Sequence, residues 1–263
     1  MKHNWNAEDY AKNSQCQLQL GEELIEKLSL TGNEALLDIG CGDGKITAKL
    51  SKILKKGEAV GIDASESLIN LASKRFSNVQ FQNLTFYQMD ACAINFSKKF
   101  DIAFSNACLH WVKDHSGVLG KVHACLKPKG RILFQMGGRG NVGEVLNAVK
   151  LVGSKQNWSS YFDNLVTPYY FYDIKDYEIW LQENHFKPLR LELIEKNIKH
   201  SGEESFKGWL RTTWFPFTDR LPEALRETFL DEVSETYKIE HPADKSGAIN
   251  VKMVRLEVEA YAV

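Results

Sequence analysis

The sequence predicts an α/β domain: a doubly wound, mostly parallel seven-stranded sheet with a helical lid over its carboxyl edge. Three observations carry that expectation. Strand-like and helix-like patterns alternate through the first half of the chain. An apolar run collapses directly into alternating glycines, Leu36-Leu37-Asp38-Ile39-Gly40-Cys41-Gly42-Asp43-Gly44, as a buried strand does when it feeds a tight loop. After Gly137-Gly138-Arg139-Gly140 the rhythm gives way to aromatic-rich helical segments and two further alternating strands.

The elements follow in order. Leu20, Leu24, Ile25 and Leu28 stand at helical spacing over 17–29, and that helix ends in a turn near Gly32. A strand at 35–40 comes next, then a helix marked by Ile46, Leu50 and Leu54 that stops before Gly57. Ala59-Val60-Gly61-Ile62-Asp63 is the second strand. Ser65 is placed to N-cap a helix over 66–75 with Leu68, Ile69, Leu71 and Ala72 inward. Strands at 84–89 and 100–105, a helix at 115–126 and a strand at 131–136 complete the alternating half. Residues 141–185 and 203–239 read as helical. Between them Leu189, Leu191 and Leu193 alternate as a strand reaching Ile198, and Val254, Leu256 and Val258 mark a final edge strand over 251–261. The pieces around 145–170 and 203–240 form the lid.

Bulk properties exclude several classes. The chain has 263 residues, 43% of them hydrophobic, enough for one large α/β domain. Net charge is −1 with both signs dispersed, so no footprint for nucleic acid or an anionic membrane is expected. No apolar run approaches the ~20 residues of a membrane span, and Met1-Lys2-His3-Asn4-Trp5-Asn6 lacks a signal-peptide core. Cys16, Cys41, Cys92, Cys108 and Cys125 are odd in number and show no C-x-x-C pair, which points to reduced thiols and no metal centre. His110 and His115, five apart, do not share a helix face as ligands. A cytoplasmic monomer is expected.

The glycine loop admits ligand against bare backbone, and its charges select which ligand. A pyrophosphate site wants G-x-G-x-x-G, but the sixth position here is Lys45, and Asp38 and Asp43 would repel phosphate. They suit a cationic ligand such as S-adenosylmethionine. Asp63 ends the second strand nineteen residues past Gly44, near the spacing at which a carboxylate takes two ribose hydroxyls. Met89-Asp90-Ala91 ends the third strand, where the carboxylate accepts from an adenine amino group while Ile62, Ala64 and Met89 lie against the ring. The fourth strand ends at Ser105-Asn106-Ala107-Cys108-Leu109-His110-Trp111, beside the expected position of a reactive methyl.

These strings, LLDIGCGDG, GIDAS, QMDA, FDIAFSNACLHW and LKPKGRILF, resemble the class I S-adenosylmethionine-dependent methyltransferases in order and spacing over about 36–136. The resemblance implies the Rossmann-like methyltransferase fold. It places Asp38, Gly40, Cys41, Gly42, Gly44 and Asn106 near the methionine part of the cofactor. Asp63 then takes the ribose hydroxyls, and Ala64, Met89, Asp90 and Ala91 flank the adenine. Asp43 departs from the family, whose members often carry proline or a small residue there. Residues 1–140 thus form a cofactor-binding core with an amino-terminal cap helix, and 141–263 supply lid segments and the last two strands of the same domain.

Trp5-Asn6 with Tyr10, FSNACLHWVKDH and SFKGWLRTTWFPFTDRLPEALRETF are similar to the trans-aconitate methyltransferase group, related to juvenile-hormone acid and malonyl-carrier-protein methyltransferases. That similarity implies a small, acidic acceptor. A carboxylate is already anionic at pH 7, so transfer to it needs alignment and no strong base. His110, Trp111, Gln17 and Arg211 are the candidate positioning residues, each with a packing or solvated alternative. The lid aromatics suit an apolar acid or the lid's own core, and the cations over 207–226 suit a polycarboxylate. Methylation of nitrogen, carbon or another oxygen, and a cofactor-binding protein without catalysis, stay open alongside.

Overall fold

The computed structural model describes residues 7–77, 79–97 and 99–263; Trp5, Asn6 and the Cys16 side chain lie outside the described residues. The first half runs α1 (Ala7–Asn13), α2 (Gln15–Glu26), β1 (Ala35–Ile39), α3 (Lys45–Ile53), β2 (Glu58–Asp63), α4 (Glu66–Arg75), β3 (Leu84–Gln88), β4 (Phe100–Asn106), α5 (His115–Cys125) and β5 (Leu126–Gly137). The second half runs α6 (Gly143–Gly153), α7 (Ser159–Phe162), α8 (Ile174–Glu183), β6 (Phe186–His200), α9 (Glu203–Thr213), α10 (Phe215–Thr218), α11 (Glu223–Glu240) and β7 (Ile249–Ala262).

The strands form one sheet in the order β3-β2-β1-β4-β5-β7-β6. β1 to β5 are parallel, and β7 is antiparallel to β5 and β6. Strand order reverses between β1 and β4, so their carboxyl ends flank the crevice where open α/β sheets bind ligands.

Alternation along the strands explains the layers. Leu37 and Ile39 face α5 and α8, with Val118, Val122, Tyr177 and Leu181 in one core. Leu36 points to the other face, where Leu24 of α2 and Leu28 just beyond it meet Leu50 and Leu54. A third core belongs to the lid: Val145, Val149, Trp209, Phe229 and Val233 close over Val251 and Met253 of β7. Ser65 caps α4 as its spacing predicts, accepting from Leu68 N–H.

Two expectations are corrected. β7 is not an edge strand: it lies between β5 and β6, buried on both faces, and β6 forms the edge with alternating exposed charges. Residues 141–185 are not continuously helical, because 163–173 run irregularly until Asp173 and Asp176 build a capping box that starts α8. α8 buries Tyr177 and Leu181 against the sheet and so is no part of the lid.

Candidate active site

Gly40, Gly42 and Gly44 all hold left-handed backbone, with φ of 75°, 57° and 79°. A Cβ on Gly40 would overlap Cys108, and one on Gly44 would lie 2.7 Å from Phe86 Cζ. Gly44 therefore serves the junction of loop and α3, while Gly40 and Gly42 line the cleft beyond. Asp38, 2% exposed at the end of β1, accepts from Thr47 Oγ1 at 2.7 Å. Burial pushes its carboxyl up to about 7, with the charge of Asp63 adding to the rise. Asp43 departs from its expected role. Lys45 and Arg75, each at 3.0 Å, neutralise it within the protein, so the charge aimed at a ligand reduces to Asp38.

The large cleft, about 710 Å³, is walled by Asp63, Ala64, Met89, Asp90, Ala91 and Asn106, as the strand ends predict. Asp63 Oδ2 accepts from Gly42 N–H at 3.0 Å and Oδ1 from Ser65 N–H at 2.9 Å, which aims the carboxylate and leaves each oxygen a second lone pair. Burial raises its pKa. Asp90 accepts from Cys92 N–H at 2.8 Å and starts a 3-10 turn. Cys41 borders a smaller adjoining cavity with Asp38, Gln17 and Asn106. Asn106 donates to the Gln17 carbonyl at 2.8 Å, while Asn106 Oδ1 and Gln17 Oε1 are buried acceptors with no partner among the described residues. Two unmet acceptors beside Asp38 suit a ligand carrying an ammonium group.

A second chamber, about 70 Å³, adjoins the cleft across Tyr10, Ala107 and Trp111, which line both. Gln17 and His110 line it too, so the structure gathers three of the four candidate positioning residues. Burial, reinforced by the nearby Arg255, holds the His110 ring well below the usual histidine range. Its Nδ1 is placed to accept from Gly137 N–H at 3.4 Å, which assigns the ring proton of the neutral form to Nε2. The Trp111 ring stacks with Phe215 at 5.6 Å and meets Tyr169 edge-on at 4.9 Å, joining the β4 loop to the lid.

Arg211 is not brought to this chamber. α9 turns Trp209 and Leu210 inward, and the Arg211 guanidinium pairs with Glu227 of α11 at 2.8 Å on the outer side. The cation that does line the chamber is Arg255 of β7, only 4% exposed, which sequence reasoning missed. Its Nε lies 3.4 Å from Gln135 Oε1, and Gln135 in turn donates to Glu257 at 2.8 Å. Glu257, 1% exposed, also holds Lys27, at the carboxyl end of α2, and Arg190 of β6. The available signal was Arg255, Glu257 and Glu259 at alternate positions of a strand otherwise apolar enough to be interior. Tyr10, Asn141, Met253 and the aromatic wall of Tyr169, Phe171 and Trp214 were likewise not assigned to a site.

Comparison with known proteins supplies a frame for this geometry. A family model described as a methyltransferase domain matches residues 30–190. The juvenile hormone acid O-methyltransferase of Drosophila melanogaster is 28% identical over 76% of this chain and 70% of its own. The trans-aconitate 2-methyltransferase of Acidovorax sp. strain JS42 is 25% identical over 89% of this chain and 88% of its own. Among solved structures, phosphoethanolamine N-methyltransferase 2 of Haemonchus contortus, in complex with S-adenosyl-L-methionine, aligns with a TM-score of 0.56. That alignment covers 93% of this chain and 52% of the other at 17% identity, a likeness of fold alone.

Proposed function

From the premise that the chain belongs to the methyltransferase-domain family and is an S-adenosylmethionine-dependent methyltransferase, we propose that its methyl acceptor is the carboxylate of a small or acyl-chain acid. The observation that carries this reading is the charge of the inner chamber. Among the described residues lining it, Arg255 bears the one formal charge and no carboxylate is present. An ammonium-bearing acceptor would meet a buried like charge there, whereas a carboxylate meets an opposite one. The two carboxyl-methylating relatives support the same choice.

The residues at hand fit the cofactor. In this reading Asp63 accepts the ribose hydroxyls, and Met89, Asp90 and Ala91 border the adenine. Asp38 and the Asn106 side-chain oxygen face the methionine end. The bound cofactor supplies an electrophilic methyl on a sulfonium. The protein's own work is then orientation. Gln17, His110 and Trp111 hold the acceptor oxygen in line, and alignment of this kind contributes several kcal/mol, up to about 7–11 in the best intramolecular cases. No general base is required, since the acceptor is ionised at pH 7. His110, kept neutral by burial, acts as a hydrogen-bond donor through Nε2.

Incubation with methyl-labelled cofactor and a panel of organic acids tests the reading. The expected product releases label as methanol in mild base. Label retained in base, on nitrogen, carbon, sulfur or ether oxygen, would refute it.

A further inference from the structure

Resting on the carboxylate reading above, we infer that the acceptor is a monocarboxylic acid with an apolar body, and that Arg255 is the residue that selects for its one carboxylate. Gln17 and His110 line the chamber, and Arg255 enters from β7, where it pairs in register with Gly137, the backbone partner of His110. Much of the remaining wall is apolar, with Leu20, Val142, Met253, Trp209, Trp214 and Phe171 in it.

The hydroxyls of Tyr169 and Thr213, which also line the chamber, are engaged within the protein. Tyr169 Oη donates to the Thr213 carbonyl at 2.7 Å, and Thr213 Oγ1 donates to the Trp209 carbonyl at 2.6 Å. The Asn141 side-chain oxygen accepts from Val254 N–H at 3.0 Å. The lid cations that could have received more negative charge are turned away. Arg211 is held by Glu227, and Lys207 is paired with Asp231 on the outer face. Among the described residues, a second or third carboxylate would therefore be desolvated against aromatic rings with no further cation in the lining.

Arg255 is also braced in a manner that suits recognition. Gln135 links it to Glu257, which Lys27, just past α2, and Arg190 of β6 also reach, so a charged network stands behind the guanidinium at the chamber wall. A planar guanidinium fixed from behind presents a directional fork to a carboxylate.

The test compares hexanoate with adipate, acids of equal length that differ by one carboxylate, with phenylacetate and trans-aconitate alongside. Base-labile methyl transfer gives kcat/KM, and calorimetry with S-adenosylhomocysteine present gives acid binding. Hexanoate and phenylacetate are expected to exceed adipate and trans-aconitate at least 100-fold in kcat/KM. Arg255→Gln should raise the KM for hexanoate at least 30-fold with S-adenosylhomocysteine binding unchanged, and Arg255→Lys should recover part of the loss. Equal or preferred turnover of adipate or trans-aconitate overturns the inference and leaves the carboxylate reading standing. So does an Arg255→Gln protein that binds S-adenosylhomocysteine and keeps the wild-type KM. If no acid binds or yields ester while an amine or phenol is methylated, the carboxylate reading itself has failed.

Discussion

Asp38 should couple cofactor binding to proton release near neutral pH. Its carboxylate is buried at the end of β1, with one side-chain donor, Thr47 Oγ1, and the charge of Asp63 nearby. Burial carries it from the ordinary 3.8 to about 7. About one Asp38 in ten is then ionised at pH 6 and about nine in ten at pH 8. A cationic cofactor binds the ionised form, so affinity should rise roughly tenfold between those values, with about half a proton released per cofactor at pH 7. Calorimetry in two buffers of different ionisation heat reads both quantities. Asp38→Asn, which can still accept from Thr47, should bind more weakly and lose this component of the pH dependence, leaving only the ligand's own titration. The free protein should show the opposite trend in stability. A carboxyl whose folded pKa is raised contributes most below the unfolded value and loses that contribution as pH climbs through the folded one. At up to about 1.4 kcal/mol per pH unit, the wild type should lose about 3 kcal/mol relative to Asp38→Asn between pH 4 and pH 7. Identical pH slopes in wild type and Asp38→Asn, for binding and for urea unfolding, would refute the reasoning.

Three further outcomes are expected. Asp63→Asn should weaken S-adenosylhomocysteine binding by about 1.5–3 kcal/mol, the range for hydrogen bonds to a charged group, and unchanged affinity by calorimetry would remove Asp63 from the site. Gly40→Ala forces a left-handed φ on alanine and drives its Cβ into Cys108, so urea unfolding should show a loss of about 2–4 kcal/mol; a change below 0.5 kcal/mol would contradict the described loop. Arg211→Ala should leave KM for the acid within twofold and cost less than about 1 kcal/mol of stability, because the residue serves an exposed pair with Glu227. A tenfold rise in KM would return Arg211 to the acceptor chamber.

The cofactor half was legible because a parallel sheet brings successive strand ends to one edge. Once Gly40 and Gly42 follow β1, topology alone carries Asp63, Asp90 and Asn106 to the same cleft. Asp43 was misread because its partner Arg75 lies a whole βα unit away, at the last turn of α4, and local sequence does not report that ion pair. Arg211 stands between two pocket tryptophans in sequence, but the helical turn separates them in space, sending Trp209 and Trp214 inward and Arg211 toward α11. Arg255 stayed hidden for a different reason. Val254, Leu256 and Val258 explain one buried face of β7, and nothing local says that an interior strand buries its charged face as well.

The placement of β7 between β5 and β6 has a consequence for assembly. A ribosome that has delivered the chain through β5 has already supplied every parallel strand and the walls of the cofactor cleft, all joined through neighbouring βα units. The acceptor chamber must wait. Met253 and Arg255 reach it only when β7 slots beside β5, more than a hundred residues later in the chain, closing the gap to β6. Until then β5 is an open edge, and the nascent protein has the walls of the large cleft before it has those of the second chamber.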